Sequence, residues 1–168
     1  MSLLPILIYG DARLRQVAEP VVVDDRVRRL AADMIETMYD APGRGLAAPQ
    51  VGVGLRLFVM DCYWKDGAPR APLVVINPKL TDPSPETATA PEGCLSIPGI
   101  VVDVERPAEV TMRWSDLSGD IFARRLRGPE AVCAQHEYDH LDGVLNTDLL
   151  AEEVRQDITE LLDALSTA

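Results

Sequence analysis

Histidine and cysteine are scarce in this chain: among its 168 residues there are two histidines and three cysteines. An odd and small number of cysteines does not make a disulfide framework, so we expect a reducing, cytoplasmic setting in which a thiol is free to bind metal. No apolar run approaches the length of a membrane span, and Met1–Ile8 lacks the basic leader and cleavage site of a signal peptide. We therefore expect a cytoplasmic protein without a membrane anchor.

Positive charge is also in deficit, because 16 lysines and arginines stand against 27 aspartates and glutamates, for a net charge of −11. Such a surface repels phosphate backbones, which disfavours DNA or RNA binding as the main function. Hydrophobic residues make up 47% and charged residues 26% of the chain, as in an ordinary globular protein. The length suits one domain with a sizeable core, and we expect a single domain over residues 1–168.

Both histidines lie in the stretch Gln135–Gly143, where His136, Glu137 and His140 form the pattern H-E-x-x-H. On a helix, positions i and i+4 share a face, so two imidazoles can bind one metal ion with the glutamate beside them as a base. Pro129 suits the first position of such a helix, and the glycine that ends the stretch suits its stop. The plainer interpretation is a solvated helix with two surface histidines.

A third protein ligand is needed, because a catalytic site of this type holds its metal by three protein ligands and leaves one position open. Cys133 shares a helix face with the histidines, but at about 1.5 Å rise per residue it lies roughly 10 Å from His140 along the axis. Cys94 is the better choice, since it follows a long loop in a glycine-containing bend. Metalloproteases with H-E-x-x-H take the third ligand downstream instead, and spacing leaves this alternative open. The downstream candidates are Glu152, Glu153 and Glu160.

The order of elements predicts an α+β fold, in which antiparallel β-strands pack around the central metal-binding helix, with an N-terminal helix and a C-terminal helix. The N-terminal helix is predicted to begin at Asp24 and to stop at Ala41-Pro42-Gly43. Strands are predicted at 55–61, 73–77, 100–105, 108–114 and 120–126. The remaining segments are predicted as a strand or extended arm (3–9), an irregular connection (78–91), an extended segment (146–150) and the closing helix (151–165).

Three motifs stand in register along the chain: G-x-G-x-A-A-x-Q at Gly43–Gln50, E-G-C-x-S at Glu92–Ser96, and Q-H-E-x-D-H-x-x-G at Gln135–Gly143. With all three in this order, the chain resembles the peptide deformylases over nearly its full length. The resemblance implies a metal-dependent hydrolase that removes the N-formyl group from the N-terminal formylmethionine of newly synthesised proteins and releases formate. The expected partners are nascent N-formylmethionyl peptides.

By this resemblance, Cys94, His136 and His140 are the ligands of one divalent metal ion per chain. Fe(II) is the expected ion, and zinc, nickel or cobalt are expected as substitutes. The residue types alone do not select iron, because a Cys-His-His site suits zinc as well.

The resemblance also implies three catalytic residues. Glu137 is expected to take a proton from the attacking water and to return it to the leaving amine. The Gln50 amide and the Leu95 backbone N–H are expected to stabilise the charge on the formyl oxygen. Glu92 and Arg106 match a buried pair of the family, although an ordinary surface pair is the plainer interpretation of two such residues.

The substrate-binding residues implied in the same way are Gly43, Arg44, Gly45, Val132 and Cys133. Backbone around Gly45 is expected to pair with the peptide as an added strand, and an apolar pocket near Val132 and Cys133 to select methionine. Alone, the glycine stretch favours a plain turn between helix and strand. Arg44 departs from the family, which usually has Val or Ile there, so we expect a pocket mouth that is either more polar or partly occluded.

Two other functions fit parts of the pattern. An H-E-x-x-H endopeptidase would use a carboxylate as its third ligand and would tolerate Cys94→Ala. A structural metal domain or binding module would have a closed site with four protein ligands, whereas three are evident here, with Glu137 left over. The chain is expected to be a monomer with a transient ribosome association, for which its acidic closing helix is poorly suited.

Overall fold

Helix α2 (Gly128–Leu141) lies at the centre of the structure, a computed structural model that describes residues 1–168. Pro129 occupies its first turn, where a fixed φ and a missing N–H cost nothing. Gly143, with a φ of +73°, follows its end. His136 is 7% exposed and His140 is 1% exposed, so the interpretation of α2 as a solvated helix with surface histidines is wrong. The predicted central helix is confirmed.

Five antiparallel strands form one sheet in the order β1-β2-β3-β6-β7, and β4 and β5 form a separate two-stranded hairpin. The strands are β1 (Gly45–Ala47), β2 (Leu57–Met60), β3 (Leu73–Thr81), β4 (Thr87–Cys94), β5 (Ile97–Pro107), β6 (Glu109–Ser115) and β7 (Ile121–Arg127). The other helices are α1 (Asp25–Asp40), α3 (Glu152–Asp157) and α4 (Thr159–Ser166), with short 3-10 turns at Ala12–Arg15, Ala48–Val51, Trp64–Asp66 and Asn146–Leu149. The predicted α+β class is confirmed.

Helices α1 and α2 pack on opposite faces of the five-stranded sheet. Side chains alternate along a strand, so Leu57 and Val59 of β2 join the apolar cluster under α1, while Phe58 and Met60 join the cluster under α2. All four side chains are buried. The packing places the polar, buried face of α2 against β1, at the edge of the sheet.

Strand β3 continues through Pro78, where the sequence predicted a stop. Its pairing with β6 shifts register at this point, and such an irregularity accommodates a proline that cannot donate a ladder hydrogen bond. The irregular connection predicted over residues 78–91 is therefore wrong for most of its length, because only residues 82–86 lie outside strands. A hairpin thus brings Cys94 to the site, not a long loop.

The N-terminal residues 3–9 form an extended arm and no strand. The Leu7 N–H donates to the Gln50 carbonyl over 2.7 Å, and the Tyr9 N–H donates to the Ser96 carbonyl over 2.8 Å. The arm is therefore attached to two segments that carry predicted site residues.

The C-terminal segment departs further from the prediction. Residues 146–149 form a 3-10 turn where an extended segment was predicted, and the closing helix is divided into α3 and α4 at Ile158. Among the large apolar residues of this segment Leu162 is buried, whereas Val154 is 47% and Leu161 is 56% exposed. Periodicity located the helical segment, but packing decided which residues it buries. None of the helices has the length and apolar character needed to cross a membrane.

Candidate active site

Three potential metal ligands converge at the centre of the molecule. The Cys94 Sγ atom lies 3.5 Å from His140 Nε2, and His140 Nε2 lies 3.2 Å from His136 Nε2. The ligand atoms of all three residues lie within 4.8 Å of one another, and all three side chains are buried. Ligands about 2.0–2.3 Å from one tetrahedral ion are separated by roughly 3.3–3.8 Å. The group therefore fits a divalent metal ion.

Helix geometry and a strand irregularity create this convergence. His136 and His140 lie one turn apart on the buried face of α2. Cys94 is the last residue of β4, and the pairing of β4 with β5 shifts register between Gly93 and Cys94. The tight turn of the hairpin thus directs the thiol toward the helix.

The alternative third ligands lie elsewhere. The Cys133 thiol donates to the Arg44 carbonyl over 3.5 Å and packs against the apolar cluster under α2. The downstream glutamates of the endopeptidase alternative are exposed on α3 and α4, and they are Glu152, Glu153 and Glu160. The geometry therefore favours the thiol of Cys94 over a carboxylate as the third ligand.

A chain of buried polar contacts supports His136. Its Nδ1 atom lies 2.8 Å from Glu92 Oε1. Arg106 donates from Nε to Glu92 Oε2 over 2.6 Å and from Nη1 to Asp139 Oδ2 over 2.9 Å. Although burial raises it, the hydrogen bonds from His136 and Arg106 lower the pKa of Glu92 below its ordinary value. The predicted buried pair of Glu92 and Arg106 is present, so their interpretation as a surface pair is wrong.

The protonation of the histidines follows from their surroundings. Burial lowers the pKa of His136, but hydrogen bonds to Cys94 and Glu92 raise it well above the ordinary value. Burial and the neighbouring His136 lower the pKa of His140 well below its ordinary value. Because an ionised Glu92 can only accept, Nδ1 of His136 carries a hydrogen, which leaves Nε2 as its ligand atom in the neutral imidazole.

Glu137 lies beside the ligands and is only 4% exposed. Its Oε1 atom is 3.9 Å from His136 Nε2, and its Oε2 atom has no hydrogen-bond partner within the protein. Burial raises the pKa of Glu137 to about 7. A Cβ atom on Gly45 would lie 2.6 Å from Oε1, so only glycine lets β1 approach the carboxylate this closely.

The side chain of Gln50 is oriented by contacts at both ends. The Ala47 N–H donates to Gln50 Oε1 over 2.9 Å. The Nε2 atom of Gln50 donates to Ser96 Oγ over 3.1 Å and lies 3.7 Å from Cys94 Sγ. The amide N–H₂ group therefore faces the ligand residues.

A cleft of about 830 Å³ opens beside these groups. Glu137, His136, Cys94 and Leu95 line its inner wall. All the substrate-binding residues predicted from the sequence also line it, and they are Gly43, Arg44, Gly45, Val132 and Cys133. Although local sequence alone favoured a turn for the glycine stretch, residues 45–47 form the edge strand β1.

Sequence reasoning missed the loop that closes one side of the cleft. Lys65 and Asp66 line the cleft. Asp66 accepts a forked pair of hydrogen bonds from Arg44, over 2.9 and 3.2 Å. Of the two alternatives expected for Arg44, this ion pair favours a polar mouth. No pattern in the sequence links residues 62–68 to the glycine stretch, because the two segments meet only through the fold.

Comparisons with known proteins agree with this site. Residues 3–156 match the family model described as polypeptide deformylase. The chain is 53% identical to a peptide deformylase of Alkalilimnicola ehrlichii, over 98% of this chain and 92% of that protein. It is 50% identical to a peptide deformylase of Rhizobium meliloti, over 90% of this chain and 87% of that protein. The crystal structure of the peptide deformylase of Thermotoga maritima is also similar, with a TM-score of 0.83 and 42% identity over 89% of this chain and 98% of that one.

Proposed function

The chain belongs to the polypeptide deformylase family, which removes N-formyl groups from nascent peptides in a metal-dependent reaction. We propose that residues 1–168 form one catalytic domain that performs this reaction. Cys94, His136 and His140 hold the metal. The observation that carries this assignment is the approach of the three ligand atoms to within 4.8 Å of one another inside the protein.

We propose Fe(II) as the native ion, with zinc, nickel or cobalt as substitutes. One thiolate and two imidazoles suit both iron and zinc, and the resemblance to the family supports iron. When bound, such an ion supplies a Lewis acid that activates water near neutral pH and polarises the formyl carbonyl.

Glu137 is the general acid and base of the reaction. It accepts a proton from the attacking water and returns it to the amine that leaves as the C–N bond breaks. Its burial, its pKa of about 7 and its unpartnered oxygen support this role, because the carboxylate can both take and give a proton near neutral pH.

Gln50 and Leu95 stabilise the negative charge on the formyl oxygen. The oxygen of the Gln50 amide is held by the Ala47 N–H, so its N–H₂ group is directed toward Cys94 before substrate binds. The backbone N–H of Leu95, directly after the ligand Cys94, is the second donor. Donors already oriented toward the developing charge need no reorganisation during the reaction.

The peptide part of the substrate pairs with the free edge of β1. The Asp61 N–H donates to the Arg44 carbonyl over 2.8 Å, and Gly45 is opposite Met60 in the next pair. In an antiparallel ladder, bonded and non-bonded pairs alternate, so the N–H and C=O of Gly45 point away from β2. They are available to an added strand, which is recognised by its backbone and accepts many sequences.

Val132 and Cys133 form the wall that receives the methionine side chain, and Gly43 and Arg44 lie at the mouth. We further propose that the protein acts as a monomer in the cytoplasm and associates with the ribosome only transiently. The acidic residues of α3 and α4 support a contact that does not depend on a basic C-terminal helix.

Formate release from formyl-Met-Ala-Ser by anaerobic, Fe(II)-loaded protein tests this assignment. We expect turnover in the native protein, none in Cys94→Ala, and a loss of about 10²-fold or more in Glu137→Ala with its metal content unchanged. An endopeptidase with a carboxylate ligand would instead keep its activity in Cys94→Ala and cleave internal peptide bonds. A closed structural metal site would bind one ion per chain and release no formate.

A further inference from the structure

The loop Cys62–Ala68, here termed the clasp loop, is attached to the segment just before β1. The Trp64 indole Nε1–H donates to the Gly43 carbonyl over 2.9 Å. The Lys65 ammonium donates to the Pro42 carbonyl over 3.0 Å. Two consecutive carbonyl groups just before β1, those of Pro42 and Gly43, are thus held by side chains from a loop about 20 residues further along the chain.

Arg44 reaches across to the clasp loop from the other side. Its guanidinium donates to both carboxylate oxygens of Asp66, over 2.9 and 3.2 Å, and to the Cys62 carbonyl. The ion pair is exposed and contributes little by itself. Together with the contacts of Trp64 and Lys65, it connects the loop to residues 42, 43 and 44 in succession.

Trp64 is itself held in place. Its ring packs edge-to-face against Tyr39, with centroids 5.1 Å apart, and the Arg70 guanidinium lies 5.4 Å from its centroid. Tyr39 donates from its hydroxyl to Asp61, the residue just before the clasp loop, over 2.6 Å. The indole N–H is therefore directed at Gly43 by packing against α1.

The position of residues 43–45 matters because the side chains of Leu95 and Glu137 pack against them. A Cβ atom on Gly43 would lie 2.7 Å from Leu95 Cδ1, and one on Gly45 would lie 2.6 Å from Glu137 Oε1. β1 is also only three residues long and lies at the edge of its sheet, where backbone opens most easily. A small shift of this segment would displace the peptide relative to Glu137 and Leu95.

We propose that Trp64 is a positioning residue for the substrate peptide, a role that rests on the proposed pairing of peptide with β1. Its hydrogen bond to Gly43 holds the edge of β1 in the geometry that the peptide needs. Trp64 acts through the backbone and touches neither the metal ligands nor the reacting atoms. Its loss would therefore affect substrates according to how much peptide they carry.

The test compares Trp64→Phe with Trp114→Phe on two substrates. Phenylalanine keeps an aromatic ring at position 64 but removes the donor to Gly43. Trp114 is the matched control, because its buried indole N–H has no hydrogen-bond partner. The substrates are formyl-Met-Ala-Ser and formylmethionine, which has no peptide extension, and the readout is the ratio of their kcat/KM values.

We expect Trp64→Phe to lower this ratio about threefold to tenfold, the usual effect of one lost neutral hydrogen bond, mainly through a higher KM for the tripeptide. Trp114→Phe should leave the ratio unchanged. A folded Trp64→Phe protein with the native ratio would overturn the proposal. Should Trp64→Phe not fold, Trp64→Tyr replaces it, because it also removes the indole donor to Gly43, and a native ratio in that protein again overturns the proposal.

Failure of the proposed function gives a different result. If the native protein hydrolyses formylmethionine as efficiently as the tripeptide, the pairing of peptide with β1 is wrong, and Trp64 has no peptide to position. If the native protein favours the tripeptide and Trp64→Phe keeps that preference, only the role of Trp64 is wrong.

Discussion

Nδ1 of His136 lies 2.8 Å from Oε1 of Glu92, a residue 44 positions earlier in the chain. Since Glu92 also accepts two hydrogen bonds from Arg106, the carboxylate cannot rotate away from the imidazole. The contact fixes both the ring orientation and the tautomer of a proposed metal ligand.

Replacing Glu92 with glutamine should therefore weaken metal binding. We expect the affinity for Zn²⁺ or Co²⁺ to fall about tenfold to a hundredfold, because the amide lacks the charge that orients and strengthens the histidine ligand. Competition with a chromophoric chelator measures this. The matched control is Glu105→Gln on the exposed side of β5, which should bind as the native protein does. Native affinity in Glu92→Gln would show that His136 needs no such support.

The substitution Gly45→Ala should impair the chemical step. The added Cβ would lie 2.6 Å from Glu137 Oε1, so either the carboxylate or β1 must move. A displacement of about 1 Å at such a site typically costs about a hundredfold in rate, and we expect that fall in kcat at full metal content. Gly54→Ala is the control, because a Cβ there meets no atom within 4 Å. Equal activity in both variants would contradict the close packing of Gly45 on the base.

Removal of the Gln50 amide should lower kcat more than it raises KM. We expect Gln50→Ala to lose about 10²-fold to 10³-fold in kcat, the usual cost of one donor to a developing oxyanion. Steady-state kinetics of formate release measure both constants. Gln156→Ala, on the exposed surface of α3, is the control. A change confined to KM would mean that Gln50 only binds the ground state.

Arg106 should matter for stability as well as for the site. The guanidinium is 7% exposed and is shared by Glu92 and Asp139. Arg106→Met leaves a buried carboxylate without its partner, and we expect the free energy of unfolding to fall by about 3–5 kcal/mol. Urea denaturation with metal-free protein measures it without the contribution of metal binding. The exposed Arg113→Met should change the value by less than about 0.5 kcal/mol, and a similarly small change in Arg106→Met would contradict the prediction.

Features encoded over a few neighbouring residues could be predicted from the sequence. The spacing of His136 and His140 located a helix with a metal-binding face, since i and i+4 always share a side of a helix. Axial rise argued against Cys133 as a ligand, and the three motifs supported Cys94. Apolar periodicity located α1 between Asp24 and Ala41, as the structure has it.

The remaining features depended on contacts between distant residues, which only the tertiary structure decided. Arg44 donates two hydrogen bonds to Asp66, the Trp64 indole donates to Gly43, and β3 continues through Pro78. All three features follow from how the strands pair. Periodicity records which residues prefer burial, but a partner 20 or 40 residues away is chosen by packing. For the same reason, the proposed metal ligands of this protein could be predicted from the sequence, whereas the contacts that hold the segment before β1 were decided only by the fold.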